Sequence, residues 1–133
     1  MGSALDSLLN APNVSEVLAS SGSSGAGGSI SIVAPSLVRK KSGSFLLEAT
    51  FSVSTPGGGT QGVTAQLVSS LIGSVGPSIS VYGTSSAGGV TWVDVSTIDV
   101  GQPIVYSVKL TPVSGSNSIA VVAGAAALVV TEQ

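Results

Sequence analysis

Histidine and cysteine are both absent from these 133 residues, and charged residues make up only 8% of them. Without cysteine there are no disulfides, no thiolate metal sites and no thiol nucleophile. Without histidine the commonest general base and the usual transition-metal ligand are missing as well. The chain is therefore expected to be no enzyme and to need no cofactor or metal. So little charge, against roughly 25% in an ordinary soluble domain, would leave a lone monomer poorly soluble. Much of the surface is expected to be covered by copies of the chain or by partners. Aromatic residues are scarce too, with two Tyr, two Phe and one Trp, too few for the girdles of a membrane β-barrel. No run approaches the ~20 apolar residues of a spanning helix. The most apolar stretch, Ile119–Val130, contains Gly124 and stops at Thr131-Glu132-Gln133. The first residues show no basic segment followed by an apolar one, so synthesis without export is expected. A net charge of −2 argues against a nucleic-acid partner, and no membrane partner is expected.

The chain divides by pattern into three parts, residues 1–20, 21–28 and 29–133. Ser3-x-x-Asp6 and Asn13-x-x-Glu16 resemble helix capping boxes ahead of Leu5, Leu8, Leu9 and then Val17, Leu18, which predicts a short helical N-terminal arm over residues 1–20. Such short helices are unstable alone, so the arm is expected to dock on something. A Ser/Gly-rich run at 21–28 reads as a flexible linker. From about residue 29 the pattern turns to period-two alternation. Strands are predicted at about 29–35, 44–54, 62–69, 78–83, 90–98, 103–112 and 118–131. Phe45, Leu47, Ala49, Phe51 and Val53 share one strand face, and Glu48, Thr50 and Ser52 the other. Around Trp92 the phase is ambiguous, since Val90 with Trp92, or Val93 with Val95, could face inward. Pro56-Gly57-Gly58-Gly59, Gly88-Gly89 and Ser114-Gly115-Ser116-Asn117 read as turns. The fold class this specifies is all-β, an antiparallel β-sandwich at 29–133, with a jelly roll the leading topology and an immunoglobulin-like Greek key second.

Few residues could carry chemistry. A Ser-Lys arrangement at Lys41-Ser42 is conceivable, but Arg39-Lys40-Lys41-Ser42-Gly43 reads first as an exposed basic turn. Glu48, Asp94 and Asp99 are expected on polar strand faces or strand ends, serving the surface rather than a glycosidase pair or a hard-cation site. Neither Gly22-x-x-Gly25-x-Gly27 nor Gly57-Gly58-Gly59 joins a strand to a helix, so neither reads as a phosphate cradle. The sequon Asn13-Val14-Ser15 is taken as chance.

Phe45–Val53, the loop Pro56-Gly57-Gly58-Gly59, the segment 63–68, the segment 104–108 and the closing Ala125-Ala126-Ala127-Leu128-Val129-Val130 together resemble small jelly-roll modules of trimeric viral and phage surface proteins. The general likeness is to head decoration (cement) proteins of tailed bacteriophages and to trimeric jelly rolls of the tumour-necrosis-factor shape. It implies a homotrimer on a virion's capsid surface, with the major capsid protein as partner. Leu5, Leu8, Leu9, Val17 and Leu18 of the arm, with Arg39, Lys40 and Lys41, are the expected capsid contacts. The alternative is a receptor- or glycan-binding domain of a phage fibre or spike, using loops 56–62 and 84–89 with Tyr82 and Trp92 nearby.

Ile119–Val130 is apolar at odd and even positions alike. A strand with two apolar faces is expected to fill the core with one and meet another subunit with the other. Ala120, Val122, Gly124, Ala126 and Leu128 are the expected interface set.

Overall fold

A computed structural model describes residues 13–18, 22–23, 25, 27–40, 43–57, 59–83, 85–95 and 99–133. The strands among the described residues are β1 (Val14–Leu18), β2 (Gly22–Ser23), β3 (Ile30–Val33), β4 (Leu37–Val38), β5 (Phe45–Ser54), β6 (Gly62–Ser69), β7 (Gly73–Tyr82), β8 (Ser85–Asp94), β9 (Pro103–Ile104), β10 (Tyr106–Pro112) and β11 (Ala120–Glu132). All pairings are antiparallel. One sheet runs β1-β11-β5-β8, with β2 also paired to β11; a second runs β3-β10-β6-β7; β4 and β9 form a small third.

The alternation in the sequence positions the core. In β5, Phe45, Leu47, Ala49, Phe51 and Val53 are buried and Glu48, Thr50 and Ser52 exposed, as the period-two pattern predicts. The same core takes Val63, Ala65 and Leu67 from β6 and Val108 and Leu110 from β10. Two sheets thus press their apolar faces into one cluster. Full burial of each large side chain there contributes about 1.5–3 kcal/mol.

Three expectations are corrected. The helix predicted from Asn13-x-x-Glu16 is instead β1, paired residue by residue with β11 from Val14↔Thr131 to Leu18↔Ala127. Capping chemistry is a local preference, whereas this segment gains a complete ladder from a strand more than a hundred residues away, and tertiary pairing overrides it. The other capping box, Ser3-x-x-Asp6, lies outside the described residues. Within the expected linker, Gly22 and Ser23 pair with Val121 and Ala120.

Gly88-Gly89, expected as a turn, lies inside β8, opposite Phe51 and Thr50. A Cβ on Gly88 would stand 2.9 Å from the Phe51 ring carbon Cζ, so glycine here makes room for a core aromatic. The ambiguous phase beside it resolves in favour of Trp92, which is buried, while Val93 and Val95 are exposed. The Trp92 indole nitrogen donates to Pro77 O at 3.2 Å. Its ring leaves no room beside Gly76, whose φ of +67° suits a residue without a side chain. Gly76 sits where the β6-β7 register shifts between Ala65 and Leu67, and the Gln66 amide donates to Val75 O and Gly76 O across that irregularity.

Candidate functional site

The last strand carries the interface expectation, and its register decides which residues can serve it. Val121 pairs with Val53 of β5, but the next paired residue, Ala126, faces Phe51. Five residues of β11 thus span two of β5, and the strand changes phase across the irregularity. Before it Ile119 and Val121 are buried; after it Ala126, Leu128 and Val130 are. Apolarity at both odd and even positions therefore has an internal cause, because each parity supplies the core in turn. This corrects two expected interface residues. Ala126 at 1% and Leu128 at 0% exposure belong to the chain's own core and cannot meet another subunit without unfolding. Ala120 is half-buried, and Val122 and Gly124 lie within the stretch where the register shifts. The outward residues after the shift are Ala127, Val129 and Thr131, all half-buried.

Ala127 and Val129 line a shallow groove of about 310 Å³ with Glu16 and Val17 of β1. The register places Glu16, Val129, Glu48 and Thr91 in one row across the outer face of the sheet, and Val14, Thr131, Leu46 and Val93 in the next. That face combines apolar side chains with two carboxylates.

The expected capsid contacts scatter. Leu5, Leu8, Leu9 and Lys41 lie outside the described residues. Val17 is half-buried and packs on the core, and Leu18 is a β1 ladder residue opposite Ala127. Lys40 is exposed. Arg39 is not on a solvated turn but 4% exposed, and this corrects its expected role as a surface contact. Counting inward from buried Leu37 past exposed Val38 puts Arg39 on the core side. Its guanidinium donates to Gly43 O and lies 5.7 Å from the centroid of the Phe45 ring, within cation–π range.

The same end of the molecule holds buried polar groups that local pattern placed on the surface. Asp94, expected to be exposed, is 2% exposed and accepts the Tyr106 hydroxyl at 2.6 Å. Burial, then the hydrogen bond to Asp94 and its charge, push the Tyr106 pKa well above the ordinary tyrosine value; the Arg39 charge opposes this. The Phe45 and Tyr106 rings meet at 5.4 Å between centroids. Glu132, also buried, accepts the Lys40 backbone N–H at 3.0 and 3.1 Å and the Asn13 amide at 3.2 Å. Asn13 donates as well to Val38 O at 2.8 Å, and its own O receives the Glu132 N–H at 2.9 Å. The sequon asparagine is thus engaged in the fold. Among the described residues no three His, Cys, Asp or Glu side chains are grouped to hold a metal. At the opposite end Tyr82 is 66% exposed, whereas Trp92 is buried, so only one of the two aromatics considered for sugar stacking is accessible.

No family model matches this chain, and no curated protein does. Among solved structures it is similar to the enzymatically active domain of tailspike protein 4 from bacteriophage CBA120, with 11% identity and a TM-score of 0.31. The match covers 87% of this chain and 19% of that one. Neither that domain's architecture nor its activity is carried over to this chain.

Proposed function

We propose that this chain is a non-enzymatic structural protein of a virus particle, a decoration protein that binds the capsid surface and stabilises the shell through protein–protein contacts. The observation that carries the reading is the sheet face around Ala127 and Val129. Small apolar side chains form a groove there on an outer surface, in a chain whose composition calls for a covered surface. The fold proposed is a β-sandwich of jelly-roll topology. Its support is the strand order: β1-β11-β5-β8 facing β3-β10-β6-β7 is the order produced when two Greek keys interleave. The absence of His and Cys supports a non-enzymatic role, as do Asp94 and Glu132, whose carboxylates accept hydrogen bonds inside the fold.

In this reading the folded unit starts at β1, and the capsid-gripping arm is residues 1–12 with Leu5, Leu8 and Leu9. Lys40 and Lys41 provide positive charge for the same contact. The chain assembles on itself, as a homotrimer, and the major capsid protein is its partner. The alternative, a receptor- or glycan-binding domain of a fibre or spike, is favoured only by exposed Tyr82.

Mass measurement of the purified chain, alone and after incubation with capsids of its own virus, tests the proposal. Self-association and saturable capsid binding are expected. A chain that stays off capsids yet binds particular sugars on a glycan array would overturn it in favour of the alternative.

A further inference from the structure

The two outer sheet faces carry opposite charge. On the β1-β11-β5-β8 face the charged ladder residues are Glu16 and Glu48, both exposed and both paired in register with Val129. Two strand spacings separate them, about 10 Å. On the β3-β10-β6-β7 face the charged ladder residue is Lys109, exposed between Ser31 and Gln66. Among the described residues, none of these three groups has an ion-pair partner within the chain.

The apolar surroundings match as well. Exposed Val14 and Val93 and half-buried Leu46 occupy the row beside the carboxylates. Exposed Val33 and half-buried Val68 occupy the row beside Lys109.

We propose that the acidic outer face of one copy docks on the basic outer face of the next, with Lys109 seated over Val129 between Glu16 and Glu48. Charge complementarity identifies the occupant as a second copy, since each face carries what the other lacks. Two copies of the same face would instead bring like charges together, which disfavours that pairing. The contact is heterologous: it closes into a ring, such as the trimer proposed above, or continues as a filament, according to the rotation between copies. Only the choice of a trimer rests on the proposed function; the pairing of faces does not.

Charge reversal tests this by sedimentation velocity at low salt. Lys109→Glu alone, and Glu16→Lys with Glu48→Lys, should each weaken self-association by about tenfold or more. The triple variant carrying all three reversals should recover it. All three positions are exposed, and circular dichroism and a thermal melt check that each variant folds. A monomeric wild-type chain, wild-type assembly by both partial reversals, or a triple variant that stays dissociated would overturn the proposal. Capsid binding measured on the same variants separates the two claims. A monomeric chain that still saturates capsids sinks the face pairing alone, and a rescued assembly that ignores capsids sinks the virion reading alone.

Discussion

The Tyr106 hydroxyl donates to Asp94 Oδ2 at 2.6 Å with both side chains buried, joining the end of β8 to the start of β10 across the two sheets. Replacing Tyr106 by Phe leaves a buried carboxylate short of a donor. The expected cost is about 1–3 kcal/mol, read as a lower urea midpoint at unchanged slope.

The same pair sets a pH dependence. The folded-state pKa of Tyr106 is raised above that of the unfolded chain, where tyrosine titrates near ~10. Above that pH the unfolded state sheds a proton that the folded state keeps. This contribution to stability is therefore complete below pH ~10 and is lost as pH rises from there. Urea unfolding at about pH 8 and pH 11 should show a stability loss that Tyr106→Phe reduces.

At the phase change in β11, adjacent alanines should behave oppositely. Ala126→Asp puts a carboxylate into the core at a cost of several kcal/mol and should unfold the domain. Ala127→Asp, on the outer face, should fold and melt near the wild-type temperature while losing self-association. Thermal melting and sedimentation of the two variants read both results.

Glu132 holds the lead-in to β1 through Asn13 and the segment after β4 through the Lys40 N–H. Glu132→Ala is expected to cost about 1–3 kcal/mol and to speed amide exchange in Val14–Leu18 more than in β5. Equal protection of β1 in both proteins would show that the ladder alone secures the strand.

Truncation separates arm from fold. The proposed function assigns residues 1–12 to the capsid and not to the fold, so removing them should leave stability within about 0.5 kcal/mol and abolish the proposed capsid attachment. Removing residues 1–18 also strips β1 from β11, uncovering core beside Val17, and should lower the melting temperature clearly.

The body of the fold was legible because β5, β6 and β10 announce themselves by alternation; the buried set Phe45 to Val53 is the set that period two selects. What escaped depends on pairing between distant segments. β1 reads as a capped helix because its partner is β11, and Gly88-Gly89 reads as a turn because the Phe51 ring it accommodates belongs to another strand. The two-faced apolarity of Ile119–Val130 was visible. The shift between Val121 and Ala126 that explains it was not, since an irregularity is defined only against the neighbouring strand. Arg39 and Asp94 were both placed on the surface by residue type, although each falls on the inward parity of its own segment, after Leu37 and after Trp92.

The proposed function makes the chain part of a virus particle, and density maps of intact particles made with and without it test that central claim most directly. The account predicts density the size of one folded unit or its trimer, repeated at symmetry-related positions on the outside of the shell and missing from particles made without the chain. Density for the chain confined to a fibre or tail tip, or a shell unchanged by its removal, would contradict the account.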